Sequence, residues 1–494
     1  MSATFARVLS RADLLLFSVS ALLALDTLAS AASVGVSWFG WWAITLLFFF
    51  LPYGLMMAEL GAAWPGEGGA YIWVREAMGA RLGSLAAWFY WINNAYWIPS
   101  VYMVFASTFH ALVLKGRIPQ DLDEGPLATW LEAGIAIALT WITVWIGVIR
   151  LGVSKWLPNA SAVVKVSIFV ALGVLGISSL LLDRPSANAF TWSGLVPRFT
   201  DSLAFLPVLL YNCMGFELMS AAGDEMKDPQ RDVPRVILMA GSLIALLYVL
   251  GILGILLAVP LDKLSLVTGT WDALAVLGSQ WGEAGGLLTV MLGVGFLYSC
   301  IGNIVTWSLG VNRVAAAAAK DGALPKALGR LHPRYNTPHV AFVAMGLIAT
   351  LLLLGNAALS SNASNVFWMV FKLSGFSYFV PYLLIFPAFV VLRHKQPLVP
   401  RPYRMPGGMP GAWVASVFCT LFVALGCVLF FKPSPSADPA TASSETWLLA
   451  GESLATFVCG LLLMPRARRG FRPDEPHRPS PRDDAAIESK REPK

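Results

Sequence analysis

The sequence predicts an all-α polytopic membrane protein with 12 transmembrane helices, two inverted repeats of five forming the core and two further helices at the C-terminal end. Three observations predict it. Apolar residues make up 57% of the 494-residue chain and charged residues only 13%, where a soluble globule carries about 25% charged residues. The apolar residues gather into runs of roughly 20, the length that crosses a hydrocarbon core. The first and sixth runs, five apart, are both interrupted near their middles by polar or small residues, the pattern of transporters that hold substrate at broken helices between inverted repeats.

Taken in order, the spans of the first repeat (14–182) fall at 14–34, 38–60, 83–113, 127–149 and 158–182. Those of the second (202–391) fall at 202–222, 235–259, 286–318, 339–355 and 364–391. Two more, 411–431 and 446–464, complete the twelve. Span 1 follows Arg7 and Arg11 as a signal peptide would, but it carries Asp26, lacks a small-x-small cleavage site and runs at once into another span, so it reads as a retained helix whose break lies between Ser20 and Ser30. Span 6 contains YNCMGFE (211–217), which places Gly215 and the carboxylate of Glu217 inside an apolar helix. Hydrocarbon solvates neither freed backbone nor a carboxylate, so this break lines a cavity. Pro229 and Pro234 then punctuate the passage to span 7.

Charge sets the orientation. Most Lys and Arg lie in the loops and tail that share a side with the N-terminus (1–13), which places both termini in the cytoplasm and the chain in the cytoplasmic membrane. The net charge of +6 therefore calls for no nucleic acid. The segment from Trp64 to Gly83 reads as an amphipathic cytoplasmic stretch, and the tail, 465–494, is rich in Pro and charge and reads as disordered. All five cysteines lie in apolar spans without metal or redox spacing; of these only Cys213 sits at a helix break. The sequence has no GxxxxGK[ST] loop and no HExxH or GxSxG motif, so neither ATP hydrolysis nor embedded enzymology is indicated, and no cofactor or metal is implied.

Four motifs, in order, carry a family resemblance: PGEGGAYIWVREAMG (65–79), GFE with EMKDPQRDVPR (215–217, 225–235), NRVAAAAAKDGALP with YNTP (312–325, 335–338) and RPYRMPGG (401–408). Together they resemble the amino acid, polyamine and organocation permease superfamily, with a texture nearest to glutamate/GABA antiporter-like permeases. The resemblance implies a LeuT-like fold and alternating access. It also implies a substrate held at the breaks of helices 1 and 6, with its carboxylate on half-helix N–H groups and its amino group on carbonyl oxygens.

It further assigns expectations to single residues. Glu217 gates or couples protons, or else stabilises a half-helix end. Tyr211 matches an aromatic gate and Trp307 the distal edge of the site in arginine/agmatine antiporters. Lys165 stands where sodium sits in other members and exchanges a proton during transport, unless it snorkels to the cytoplasmic surface. Asn303 replaces an acid of glutamate/GABA antiporters, so their acid-activated exchange does not carry over. Asn93 and Asn94 border the site on helix 3, one of them reading the substrate with its side chain or else making a helix-to-helix hydrogen bond; Asn212, Cys213 and Gly215 belong to the break of helix 6. Asp26 pairs with Lys372 or contacts the substrate, and His110 is interfacial. The function so read is secondary transport of amino acids, by proton-coupled symport or exchange, with a putrescine-like polyamine as the alternative substrate.

Overall fold

The computed structural model describes residues 11–65, 68–149, 156–197, 199, 202–219, 229–360, 362–433 and 442–464. The N-terminal ten residues, the charged run that precedes Pro229 and the tail expected to be disordered lie outside the described residues. The helices in chain order are α1 (Arg11–Leu22), α2 (Leu28–Ala32), α3 (Gly35–Ala63), α4 (Gly69–Met78), α5 (Ala80–Leu114), α6 (Pro126–Ile149), α7 (Trp156–Leu181) and α8 (Leu206–Tyr211). They continue as α9 (Pro229–Ala258), α10 (Gly269–Ser279), α11 (Gly282–Lys320), α12 (His339–Leu359), α13 (Ala363–Lys395), α14 (Gly408–Phe430) and α15 (Ala442–Leu463).

Among the described residues, ten helices are long and apolar enough to cross a membrane, and two shorter apolar ones, Ala12–Leu22 and Leu203–Met219, stand where spans 1 and 6 were expected. Neither of those spans is a continuous helix. The first opens at 23–27, inside the window expected for its break; the second opens at 212–215 and resumes as a tight helical turn at 216–219, the last described residues before Pro229. Within the amphipathic segment from Trp64 to Gly83 lies α4, closed by Gly79 at φ 93°. The short helix α10 was not expected, because its eleven residues are too few and too mixed in polarity to register as a span.

The long helix α5 runs through the middle of the assembly, packed on α13, α11, α4, α6 and α12. Helix α1 lies against α7, α9 and α11, so the break that follows it is enclosed by protein on several sides. Two ionic ties fasten helix ends. Glu59 of α3, 1% exposed, takes both arms of the Arg393 guanidinium from α13 and accepts from Met405 N at 2.8 Å. Arg401 Nε lies 3.2 Å from Oε1 of the same carboxylate, so Glu59 is matched by two guanidinium groups. Arg75 of α4 pairs with Asp321 just past α11, which also accepts from the Tyr71 hydroxyl at 3.2 Å.

His110 is a correction. It is not interfacial but buried, with Nδ1 2.9 Å from Glu132 of α6 and Nε2 2.9 Å from Asp123 at the end of the short helical turn Gln120–Asp123. Flanked by two carboxylates, the ring makes hydrogen bonds to charged groups, which are about twice as strong as neutral ones.

Candidate functional site

Breaking a helix leaves N–H and C=O groups without partners, and in a dry interior each must be satisfied by something else. At the first break the carbonyls are answered by side chains. Trp307 Nε1 donates to Ala21 O at 2.9 Å, the Tyr248 hydroxyl to Leu22 O at 3.2 Å, and Lys165 Nζ to Ser20 O at 2.6 Å. Ala24 N donates in turn to the Tyr248 oxygen at 3.0 Å. The two breaks are tied directly by Thr27 Oγ1, which donates to Asn212 Oδ1 at 2.5 Å.

At the second break Gly215 has φ 132°, a conformation that only glycine adopts without strain. A Cβ there would meet Trp307 at 3.1 Å and Leu22 at 3.2 Å. The amides of Gly215 and Phe216 both donate to the Tyr53 hydroxyl oxygen at 2.8 Å, and that hydroxyl donates to Glu217 Oε2 at 2.7 Å. Tyr90 donates to Glu217 Oε1 at 3.0 Å, and Tyr378 approaches the same oxygen at 3.4 Å with Tyr382 donating to Tyr378 behind it. A carboxylate 2% exposed is thus held by phenolic hydroxyls from three different helices.

Between the breaks lies a small cavity. Its walls are Ala21, Leu22 and Ala24 of the first break, Asn93 and Trp97 of α5, Tyr211 and Met214 of the second break, Asn303 and Trp307 of α11, and Tyr378 of α13. The rings form a connected cage: Trp97 meets Trp307 at 6.0 Å, Trp307 meets Tyr378 at 5.7 Å, and Tyr378 meets Tyr211 at 5.3 Å.

Of the residues singled out in the sequence, Asn93, Tyr211, Asn303 and Trp307 line this cavity. Asn212 and Gly215 shape the break, and Cys213, fully buried, packs within it without reaching the cavity wall. Asn94 points elsewhere: its amide nitrogen is bonded to Ser308 and Met345 between α11 and α12. Lys165 does not snorkel; it is 1% exposed and faces the first break. Asp26 and Lys372 do not pair. The Lys372 ammonium donates to Lys432 O at 2.6 Å beyond α14, whereas Asp26 accepts from Trp97 Nε1 at 3.3 Å and shares the electrostatic field of Lys165.

The half-helix N–H groups expected to receive a substrate carboxylate have other partners, because the Tyr53 and Tyr248 hydroxyls occupy Gly215 N, Phe216 N and Ala24 N. Trp97, Tyr53, Tyr90 and Tyr378 were not singled out in the sequence. Trp97 carried a usable signal, standing one helical turn after Asn93 and therefore on the same face.

The pattern of the amino acid permease family matches residues 3–458, and the chain belongs to that family. It is 32% identical over 445 residues to a "Probable agmatine/putrescine antiporter" of Lactococcus lactis, covering 89% of this chain and 91% of that protein. It is 29% identical over 459 residues to an uncharacterized transporter of Legionella pneumophila, covering 92% and 96%. A glutamate/gamma-aminobutyrate antiporter of Lactococcus lactis is 25% identical over 429 residues, covering 84% and 81%. The protein is a multi-pass membrane transporter of amino acids or amines.

Proposed function

We propose that this permease is a secondary active transporter that moves its substrate by alternating access, as proton-coupled symport or as exchange. It would work in the cell membrane with both termini cytoplasmic, as the distribution of Lys and Arg favours. The observation that carries the reading is the meeting of two broken helices at one aromatic-walled cavity, tied together by the Thr27–Asn212 bond. Substrate in that cavity touches both breaks at once, so its binding biases how the two half-helices sit against the surrounding scaffold.

Lys165 and Glu217 are the coupling residues in this reading. The Lys165–Ser20 bond ties α7 to the first break. Such a bond is worth about 1.5–3 kcal/mol when the amine is charged and about half that when it is neutral. Loss of the proton therefore loosens the break and favours rearrangement. Glu217 acts in the opposite sense at the second break, where the charged carboxylate holds Tyr53 and Tyr90 more tightly and uptake of a proton loosens them.

Amino acids are the substrates the family resemblance implies. An amine is the second reading, favoured by the buried carboxylate of Asp26, bonded to the cavity residue Trp97, and by the likeness to the agmatine/putrescine antiporter. The test is counterflow in proteoliposomes loaded with unlabelled amino acid or amine. Saturable accumulation of labelled substrate against its gradient supports the reading, and a linear, non-saturating flux refutes it.

A further inference from the structure

We infer that a second cavity, apart from the central one, is a binding site for a small anion, a halide or a carboxylate, held by the Lys372 ammonium and the Trp368 indole N–H.

This cavity shares no lining residue with the central one. It lies between Pro207 and Val208 of α8, Trp368 and Lys372 of α13, and Lys432 just past α14. Lys372 sits well inside the apolar helix α13 and is 7% exposed. An ammonium in such a place is costly unless something neutralises it. The bond to Lys432 O uses one of its three N–H groups and cancels none of its charge. Among the described residues no carboxylate forms an ion pair with it; Glu445 of α15 adds only its field, and the Glu445 Oε2 is itself buried without a hydrogen-bond partner.

The second donor is Trp368, 4% exposed, whose Nε1–H has no hydrogen-bond partner. An indole N–H can only donate, and left unpaired in a dry interior it is destabilising. The ring is held against Phe371 at 5.5 Å and Phe205 at 6.4 Å, so the N–H has to be met where it stands. No residue lining the cavity is Asp or Glu, and Lys432 adds a second cation to the wall. The groups left unmatched here are therefore a positive charge and a neutral donor, and one small anion answers both. A metal ion or an amine would set charge against like charge, and a neutral solute would leave the ammonium uncompensated. Because α8 ends at the second break, an anion seated here braces the half-helix that carries Tyr211 into the central cavity.

The experiment follows the unfolding midpoint of the purified full-length chain at constant ionic strength, while a bulky sulfonate is replaced by chloride in one arm and by acetate in the other. A ligand that binds only the folded state raises the midpoint with its occupancy, so a saturable rise is expected in at least one arm. A rise with chloride alone marks a halide site; a rise with acetate marks one that takes carboxylates. Lys372→Met should raise the half-saturating concentration about tenfold or more, and Trp368→Phe, which keeps the packed ring and removes the N–H, about threefold or more. No saturable rise in either arm would overturn the inference. So would a half-saturation left unchanged by either variant, which for Lys372 would reduce the ammonium to a cap on the end of α14. If Lys372→Met fails to fold, Trp368→Phe decides alone.

Discussion

Substituting Tyr53 with Phe removes one oxygen and leaves the ring, so its stacking on Phe49 at 5.8 Å is kept while three hydrogen bonds vanish. Two buried amides, of Gly215 and Phe216, lose their acceptor, and orphaned donors cost about 1–3 kcal/mol each. Glu217 Oε2 also loses its donor. The expected destabilisation is about 2–6 kcal/mol from the amides alone. Tyr90→Phe is the matched control, since it removes one donor from an oxygen that Tyr378 also approaches, a loss of about 1–3 kcal/mol. Thermal unfolding of the two detergent-purified variants, scanned at one rate because membrane proteins rarely refold, should place Tyr53→Phe clearly below Tyr90→Phe. Equal midpoints, or the reverse order, would refute the claim that this hydroxyl closes the second break.

Three further outcomes are expected. Lys165→Met should flatten the pH profile of substrate accumulation, and full accumulation with an unchanged profile would remove Lys165 from the coupling mechanism. Gly215→Ala should lower the unfolding midpoint and abolish counterflow, because the new methyl group meets Trp307 and Leu22 at a φ of 132° that costs roughly 1–3 kcal/mol for any other residue; wild-type flux would disprove it. The Asp123 carboxyl is held below its ordinary value of 3.8 by the hydrogen bond to His110 and by the Gly116 amide. A lowered folded value means that this tie is fully present above pH 3.8 and is lost as pH falls through the folded value. Hydrogen exchange at Gly116 should therefore quicken on acidification in the wild type, and Asp123→Asn should remove the change.

Much of the architecture was legible because hydrocarbon imposes a single constraint on the whole chain. Runs of about 20 apolar residues had to be helices, and Asp26, Lys165 and Glu217 could not face lipid, so they had to mark the interior. What escaped were partners. Tyr53 and Tyr90 carry the same local signature as any aromatic in a membrane helix, and only the approach of α3 and α5 to the second break gives their hydroxyls a purpose. Pairing Asp26 with Lys372 failed for the same reason: opposite charge says nothing about depth, and Lys372 spends its ammonium on a carbonyl beyond α14. The match of Asn93, Tyr211, Asn303 and Trp307 to one cavity came through the resemblance to relatives, whereas Trp97 needed the helix geometry.

A hydroxyl has one proton and two lone pairs, and Tyr53 has spent all three on two amides and a carboxylate. A valence so filled cannot adjust by degrees. If the backbone at Gly215 turns, at least one of the three bonds has to break outright before another can form. The hydroxyl then behaves as a detent, resisting small displacements and giving way all at once. In a protein that must never open to both faces of a membrane together, a joint without intermediate positions is itself a safeguard against leakage.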